Sequence, residues 1–151
     1  MVRNGTSGYH GSEHQSGDEC SSTYEGRHIV IPNDLLIFVD AFTDGLVRKG
    51  QPVVCADIVG VALKTAQTAG ELIPIDTEGI WYLSVVSVGI TTVGQHLFIT
   101  DGGVITDANL ATSRIFGYAL EEIIVANGPA TAVIAVKVHW MAPEVPEGGG
   151  A

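Results

Sequence analysis

Charge is scarce in this sequence: Asp, Glu, Lys and Arg fill 16% of its 151 positions, against 46% for hydrophobic residues. An ordinary soluble domain carries about 25% charge, so few groups remain to cover a surface. A small domain of this composition is expected to hide part of its exterior against copies of itself or a larger partner. Basic residues are the scarcest, seven Lys and Arg against seventeen Asp and Glu, and the formal charge is −10. Phosphate backbones would be repelled, so nucleic acid is excluded as the expected partner. No apolar run approaches the ~20 residues that span a bilayer as a helix. The polar stretch 1–17 holds no signal-peptide core, so the chain is expected to be soluble, unexported and free of membrane.

Cysteine is nearly absent as well. Cys20 lies in a Ser-rich stretch and Cys55 in an apolar one, which predicts a surface thiol and a buried thiol rather than a disulfide framework. Neither has a Cys or His at metal-ligand spacing. The sharper catalytic signatures are missing too: there is no Gly-x-x-x-x-Gly-Lys, no Gly-x-Ser-x-Gly and no His-Glu-x-x-His. Thr100-Asp101-Gly102-Gly103 stands between apolar runs with no helix start or lysine after it, and predicts a hairpin turn rather than a phosphate loop. His10 and His14 sit four apart among glycines without a third ligand. Asp101, Asp107 and Asn109 lack the alternating acidic ladder of a calcium loop. No metal, cofactor or catalytic residue is expected. The enzymatic alternative is a small β-barrel hydrolase with paired carboxylates, drawn from Asp76, Glu78, Glu121 and Glu122.

What is present falls into three stretches. Residues 1–27 are dominated by Gly, Ser and Thr and contain no aliphatic cluster, so they are expected to form a flexible N-terminal arm. Tyr9 and Tyr24 are the natural anchors if that arm orders on a partner. Composition changes sharply at His28-Ile29-Val30-Ile31-Pro32, and a domain over 28–141 follows, built of short Val/Ile-rich runs between Gly, Asp, Asn and Thr clusters. Strands are predicted at 35–39, 53–58, 61–64, 71–76, 80–86, 96–100, 115–120 and 131–140. In the last, both faces are apolar, as in a strand buried on two sides. Residues 107–113, with Asp107 as N-cap, and 119–126 are helix candidates by propensity. Residues 142–151, with two prolines and a glycine run, are expected to be a mobile tail.

The domain also echoes itself. Gly50-Gln51 and Ile58-Val59-Gly60-Val61-Ala62-Leu63 stand beside Gly94-Gln95 and Ile115-Phe116-Gly117-Tyr118-Ala119-Leu120. Each half reads Gly-Gln, a strand, then a glycine two places before Ala-Leu. This predicts two similar β-units in one barrel-like domain, with each strand-interior glycine marking a bulge or a close backbone approach.

Gly50-Gln51-Pro52-Val53-Val54, Ile58 to Leu63, Asp76-Thr77-Glu78-Gly79-Ile80-Trp81-Tyr82-Leu83-Ser84-Val85, Gly94-Gln95-His96-Leu97-Phe98, Gly117-Tyr118-Ala119 and the Val-rich strand 131–138 follow one another in an order that resembles a family of small tailed-phage head proteins. Its pattern runs roughly G-D-P-V-x-x-G-x-x-G-V-A-x-T, G-V-F-x-L-P-V, G-D-x-V-Y and a closing G-x-A. The resemblance covers about residues 46–139 and departs at Gln51, Gln95, Ser84 and the long arm. It implies an all-β fold, a compact β-barrel or β-tulip-like domain with an extended N-terminal arm. It further implies a capsid decoration (cement) protein on the virion exterior, a homotrimer bound to the major capsid protein, similar in role to the phage lambda head decoration protein. On that reading Tyr9, Tyr24, Ile29, Val30 and Ile31 are the candidate capsid-binding residues, with Ile29 to Ile31 adding a strand to the partner or an adjacent copy. A host- or glycan-binding head appendage is the remaining alternative.

Overall fold

The structure is a computed structural model that describes residues 28–140 and, apart from them, Ser16. The expected arm with Tyr9 and Tyr24, and the expected tail over 142–151, lie outside the described residues.

Strand-length apolar runs cut by turn residues leave little choice but extended structure, and among the described residues the only helical element is a 3-10 turn at Asn33–Leu35. The first unit holds β1 (His28–Pro32), β2 (Pro52–Cys55), β3 (Ile58–Ala62) and β4 (Leu72–Asp76), antiparallel in the order β1-β4-β3-β2. It curls into a half-barrel, and Ile37, just beyond the 3-10 turn, exchanges two backbone hydrogen bonds of 2.8 and 3.0 Å with Val54 of β2. The second unit holds β5 (Ile80–Ser87), β6 (His96–Ile99), β7 (Ile105–Thr106), β8 (Arg114–Ala119) and β9 (Ala130–Val138), closed into a barrel in the order β5-β7-β6-β8-β9. The β5·β7 pair is parallel and the remaining pairs are antiparallel.

The echo in the sequence is an echo in the hydrogen-bond ladder. The register Ile31↔Ile73, Val30↔Pro74 and Ile29↔Ile75 of β1·β4 repeats as Leu83↔Ile134, Tyr82↔Ala135 and Trp81↔Val136 of β5·β9. Likewise Val61↔Asp76 and Ala62↔Ile75 return as Tyr118↔Lys137 and Ala119↔Val136, and Pro52↔Val61 with Val53↔Gly60 as His96↔Tyr118 with Leu97↔Gly117. The turns match bond for bond: Gly50 N donates to Ala62 O (2.8 Å) and Ala62 N to Gln51 O (2.9 Å), as Gly94 N does to Ala119 O (2.7 Å) and Ala119 N to Gln95 O (2.9 Å). Both glycines have φ near +90°, at 90° and 95°, a conformation that costs an L side chain about 1–2 kcal/mol. Thus β1, β2, β3 and β4 correspond to β5, β6, β8 and β9, and β7 is the addition that closes the second unit.

Packing follows the alternation of side chains across each strand. Val53, Ala62, Ile73 and Ile75 fill the half-barrel with Ile31, Leu36, Val47 and Ala66. Leu83, Val85, Leu97, Ile99, Phe116, Ile134, Val136 and Val138 fill the barrel. The opposite face of β2·β3, Val54, Val59 and Val61, joins the barrel cluster, so one unit is seated on the other through an apolar contact. Each Val, Leu, Ile or Phe among them contributes about 1.5–3 kcal/mol when fully buried.

A polar exception is instructive. Asn33 is buried, its Nδ2 donates to Gly45 O (2.7 Å) and its Oδ1 accepts from Val47 N (3.0 Å), pinning the 40s loop to the end of β1. Asn33→Ala is expected to cost about 2 kcal/mol, because it leaves backbone groups without partners; a urea midpoint unchanged from wild type would contradict this role.

Several expectations are corrected. The strand expected over 53–58 is broken by a two-residue turn, with Ala56 left-handed at φ 53° and Cys55↔Ile58 closing the hairpin. Over 35–39 only the Ile37 bridge forms. Neither helix candidate is helical: Asp107 caps nothing and instead accepts a hydrogen bond from Ser87 Oγ (3.0 Å), while Ile123 pairs with Ile90 and Leu120 N donates to Ala135 O (2.9 Å). Tertiary pairing overrides the helix propensity of these Ala- and Glu-containing stretches. Strand β9 is not buried on both faces either, since Val133 is exposed.

Candidate docking surface

Alternation along β5 turns Leu83 and Val85 inward and Ile80, Tyr82 and Ser84 outward. Opposite them β9 sets Lys137, Ala135 and Val133. The result is an exposed apolar ribbon, with Ile80, Tyr82 and Val133 retaining 64%, 73% and 62% of their full exposure. Isolated exposed apolar residues are ordinary, but a contiguous set is a mark of interaction surfaces. Lys137 closes one end, its Nζ donating to Val138 O (3.0 Å) and to Glu78 O.

Beside this ribbon lies a groove of about 430 Å³, lined on one side by Tyr82, Leu83, Ser84 and Ile105 and on the other by Gly50, Gln51, Pro52 and Val39. No charged residue lines it, in a chain whose formal charge is −10. The Gln51 amide is already used, its Nε2 donating to Val39 O (2.7 Å) and its Oε1 accepting from Arg48 N (2.8 Å). Strand β7 pairs with β5 only at Val85 and Val86, so among the described residues the groove-side edge of β5 at Tyr82 to Ser84 has no ladder partner. The groove therefore offers apolar walls and a free strand edge, the two requirements for accepting an extended segment.

Of the residues singled out from the sequence, Ile29, Val30 and Ile31 lie on β1, paired with Ile75, Pro74 and Ile73 of β4. Ile31 is a core residue and Ile29 packs against the same cluster, while Val30 is half-buried. The run thus serves its own sheet first, and what it can offer a partner is the outer edge of β1, the terminal strand of its sheet. Tyr9 and Tyr24 lie outside the described residues. The ribbon and groove were missed in the sequence, although the alternation Ile80-Trp81-Tyr82-Leu83-Ser84 with no charge was their signal.

Two of the four carboxylates weighed as acid and base hold hydrogen-bond donors of the fold. Asp76 is buried, its Oδ1 accepting from Glu78 N and Gly79 N (both 3.0 Å) and its Oδ2 from Trp81 Nε1 (3.0 Å). Glu78 is exposed, and Glu121 Oε1 accepts from Ala135 N (3.0 Å). Two other acids are held by ion pairs. The Arg48 guanidinium holds the Asp44 carboxyl below its usual range, and Lys64 does the same for Glu71. Both contributions are present above the ordinary carboxylate range and fade as pH falls through the lowered values, and pairs this open to water are weak. Among the described residues no three His, Cys, Asp or Glu side chains gather as a metal site would require.

A model of the phage cement protein family matches residues 37–138, from the Ile37 bridge to the last residue of β9. The chain belongs to the phage cement protein family. Comparison with curated proteins and with solved structures gives no match. The cement-family match spans both units apart from β1, so the groove and the apolar ribbon lie within the matched part, as does the repeat except for its first strand. Membership makes this all-β chain a structural protein of the phage capsid, with decoration as its general role.

Proposed function

We propose that this cement protein binds the outer surface of an assembled phage head as a homotrimer and stabilises it through contact with the major capsid protein. The observation that carries the reading is the family match over residues 37–138, and the uncharged groove beside β5 supports it by supplying a docking edge. Residues Tyr9 and Tyr24 of the N-terminal stretch, with the β1 edge at Ile29, Val30 and Ile31, are the further capsid contacts. Affinity then arises from several weak attachments per trimer acting together, each modest because ordering an extended segment costs conformational entropy.

Purified protein mixed with expanded heads of its own phage should co-sediment with them and raise their melting temperature. Failure to bind such heads would end the decoration reading. Deleting residues 1–27 should leave a folded protein whose binding is weaker by at least about tenfold, the scale of lost multivalency. Undiminished binding by the truncated chain would assign the contact to the domain alone.

A further inference from the structure

The two units are equivalent strand by strand, yet their outer faces have different fates. In the first unit the outer face of β2·β3, Val54, Val59 and Val61, is 1%, 0% and 0% exposed, because it is seated on the second unit. The corresponding face of the second unit is that of β6·β8. There the ladder pairs His96 with Tyr118 and Phe98 with Ile115, where the first unit pairs Pro52 with Val61 and Val54 with Val59. This face is apolar and aromatic: the His96 ring lies 5.1 Å from that of Tyr118 and 6.4 Å from that of Phe98, and Tyr118 lies 5.8 Å from His139. Phe98 lies outside the barrel's interior cluster but is itself buried, at 9% exposure; His96 is exposed, and Ile115, Tyr118 and His139 are half-buried. One copy of the docking face is covered within the chain, while its equivalent keeps open surface at His96, Ile115 and Tyr118.

We infer that the His96, Phe98, Ile115 and Tyr118 face seats on the first unit of a second copy of this chain. The geometry inside one chain indicates where. The first unit's Gly50 to Pro52 turn lies across the groove from β5, the strand equivalent to β1. The matching turn, Gly94 to His96, is therefore expected across an equivalent groove from β1 of the next copy, leaving the β1 edge itself open. The contact joins unlike surfaces, so successive copies follow one another head to tail and close into a ring when the rotation permits.

This names the surface behind the self-association proposed above and rests on it. Two variants test it, Tyr118→Lys at the centre of the face and His96→Glu at its exposed side, with circular dichroism and thermal melting to show that each remains folded. Light scattering of wild-type protein should give a multiple of the 15.8 kDa chain mass, and the variants should fall to the single-chain mass, with association weakened at least roughly thirty-fold for a central anchor. Folded variants that keep the wild-type mass overturn the surface while leaving self-association intact. A wild-type protein at single-chain mass at high micromolar concentration overturns both. Variants that keep their mass but lose binding to heads give the face to the capsid and overturn the inference, without touching the decoration reading.

Discussion

Gly117→Ala should leave little or no native protein. A Cβ at this position would overlap the Lys137 carbonyl oxygen and come within 2.9 Å of its carbon and 3.0 Å of Val138 Cα, all of them backbone atoms of the paired strand β9. A side chain could rotate away, but a backbone in register cannot move without parting β8 from β9. The ladder there comprises Gly117↔Val138, Tyr118↔Lys137 and Ala119↔Val136, and its loss opens the barrel. The expected destabilisation is about 4 kcal/mol or more, in the range reserved for gross packing failures. Gly70 provides the control, since a Cβ there meets nothing within 4 Å and Gly70→Ala should fall within about 0.5 kcal/mol of wild type. Denaturant midpoints for the two variants decide the matter, and a Gly117→Ala protein of ordinary stability would show that β8 and β9 do not approach as described.

The second large effect is expected at Asp76. Its carboxylate receives Glu78 N, Gly79 N and Trp81 Nε1 at the junction where β4 leaves the first unit and β5 enters the second. Asp76→Ala strands these donors at a position only 4% exposed, and each buried donor left unpaired costs about 1–3 kcal/mol. A total of at least about 3 kcal/mol follows, lowering the melting temperature by roughly 10 °C for a domain of this size. Asp76→Asn retains an oxygen for the two backbone donors but turns an amide toward the indole N–H, so it should fall between alanine and wild type. An Asp76→Ala protein that melts like wild type would remove the residue from the fold's supports.

The sequence disclosed the class of fold because strand signals are local. Apolar runs at 71–76, 80–86, 96–100 and 115–120 became β4, β5, β6 and β8 within a residue or two at most ends. It disclosed the repeat because both halves need a residue without a side chain at the same crossing of strands, Gly60 against Ile75 and Asp76, Gly117 against Lys137. A barrel was expected, but which unit closes was not legible. Closure depends on β7, two residues long and paired in parallel to β5, and nothing in Ile105-Thr106 taken alone distinguishes a barrel stave from a loop. The Ala56-Asp57 turn was hidden for a related reason, since an alanine at φ 53° is held there by the hairpin around it rather than by its own preference. The docking ribbon escaped because outward Tyr82 and Val133 look in sequence like core residues, and only their partners across β5·β9 decide which way they point.

In each unit the first strand pairs with the last, β1 with β4 and β5 with β9. No hairpin between sequence neighbours can complete either sheet, so the whole unit must loop back before its longest ladder repays the entropy of closure. A nascent chain emerging from the ribosome can join β1 to β4 while β9 is still unmade. Until the second unit arrives, Val54, Val59 and Val61 remain bare to solvent. The interval of synthesis between Asp76 and Val138 is therefore the period in which this chain is most exposed to premature aggregation, and the order of its repeats sets how long that period lasts.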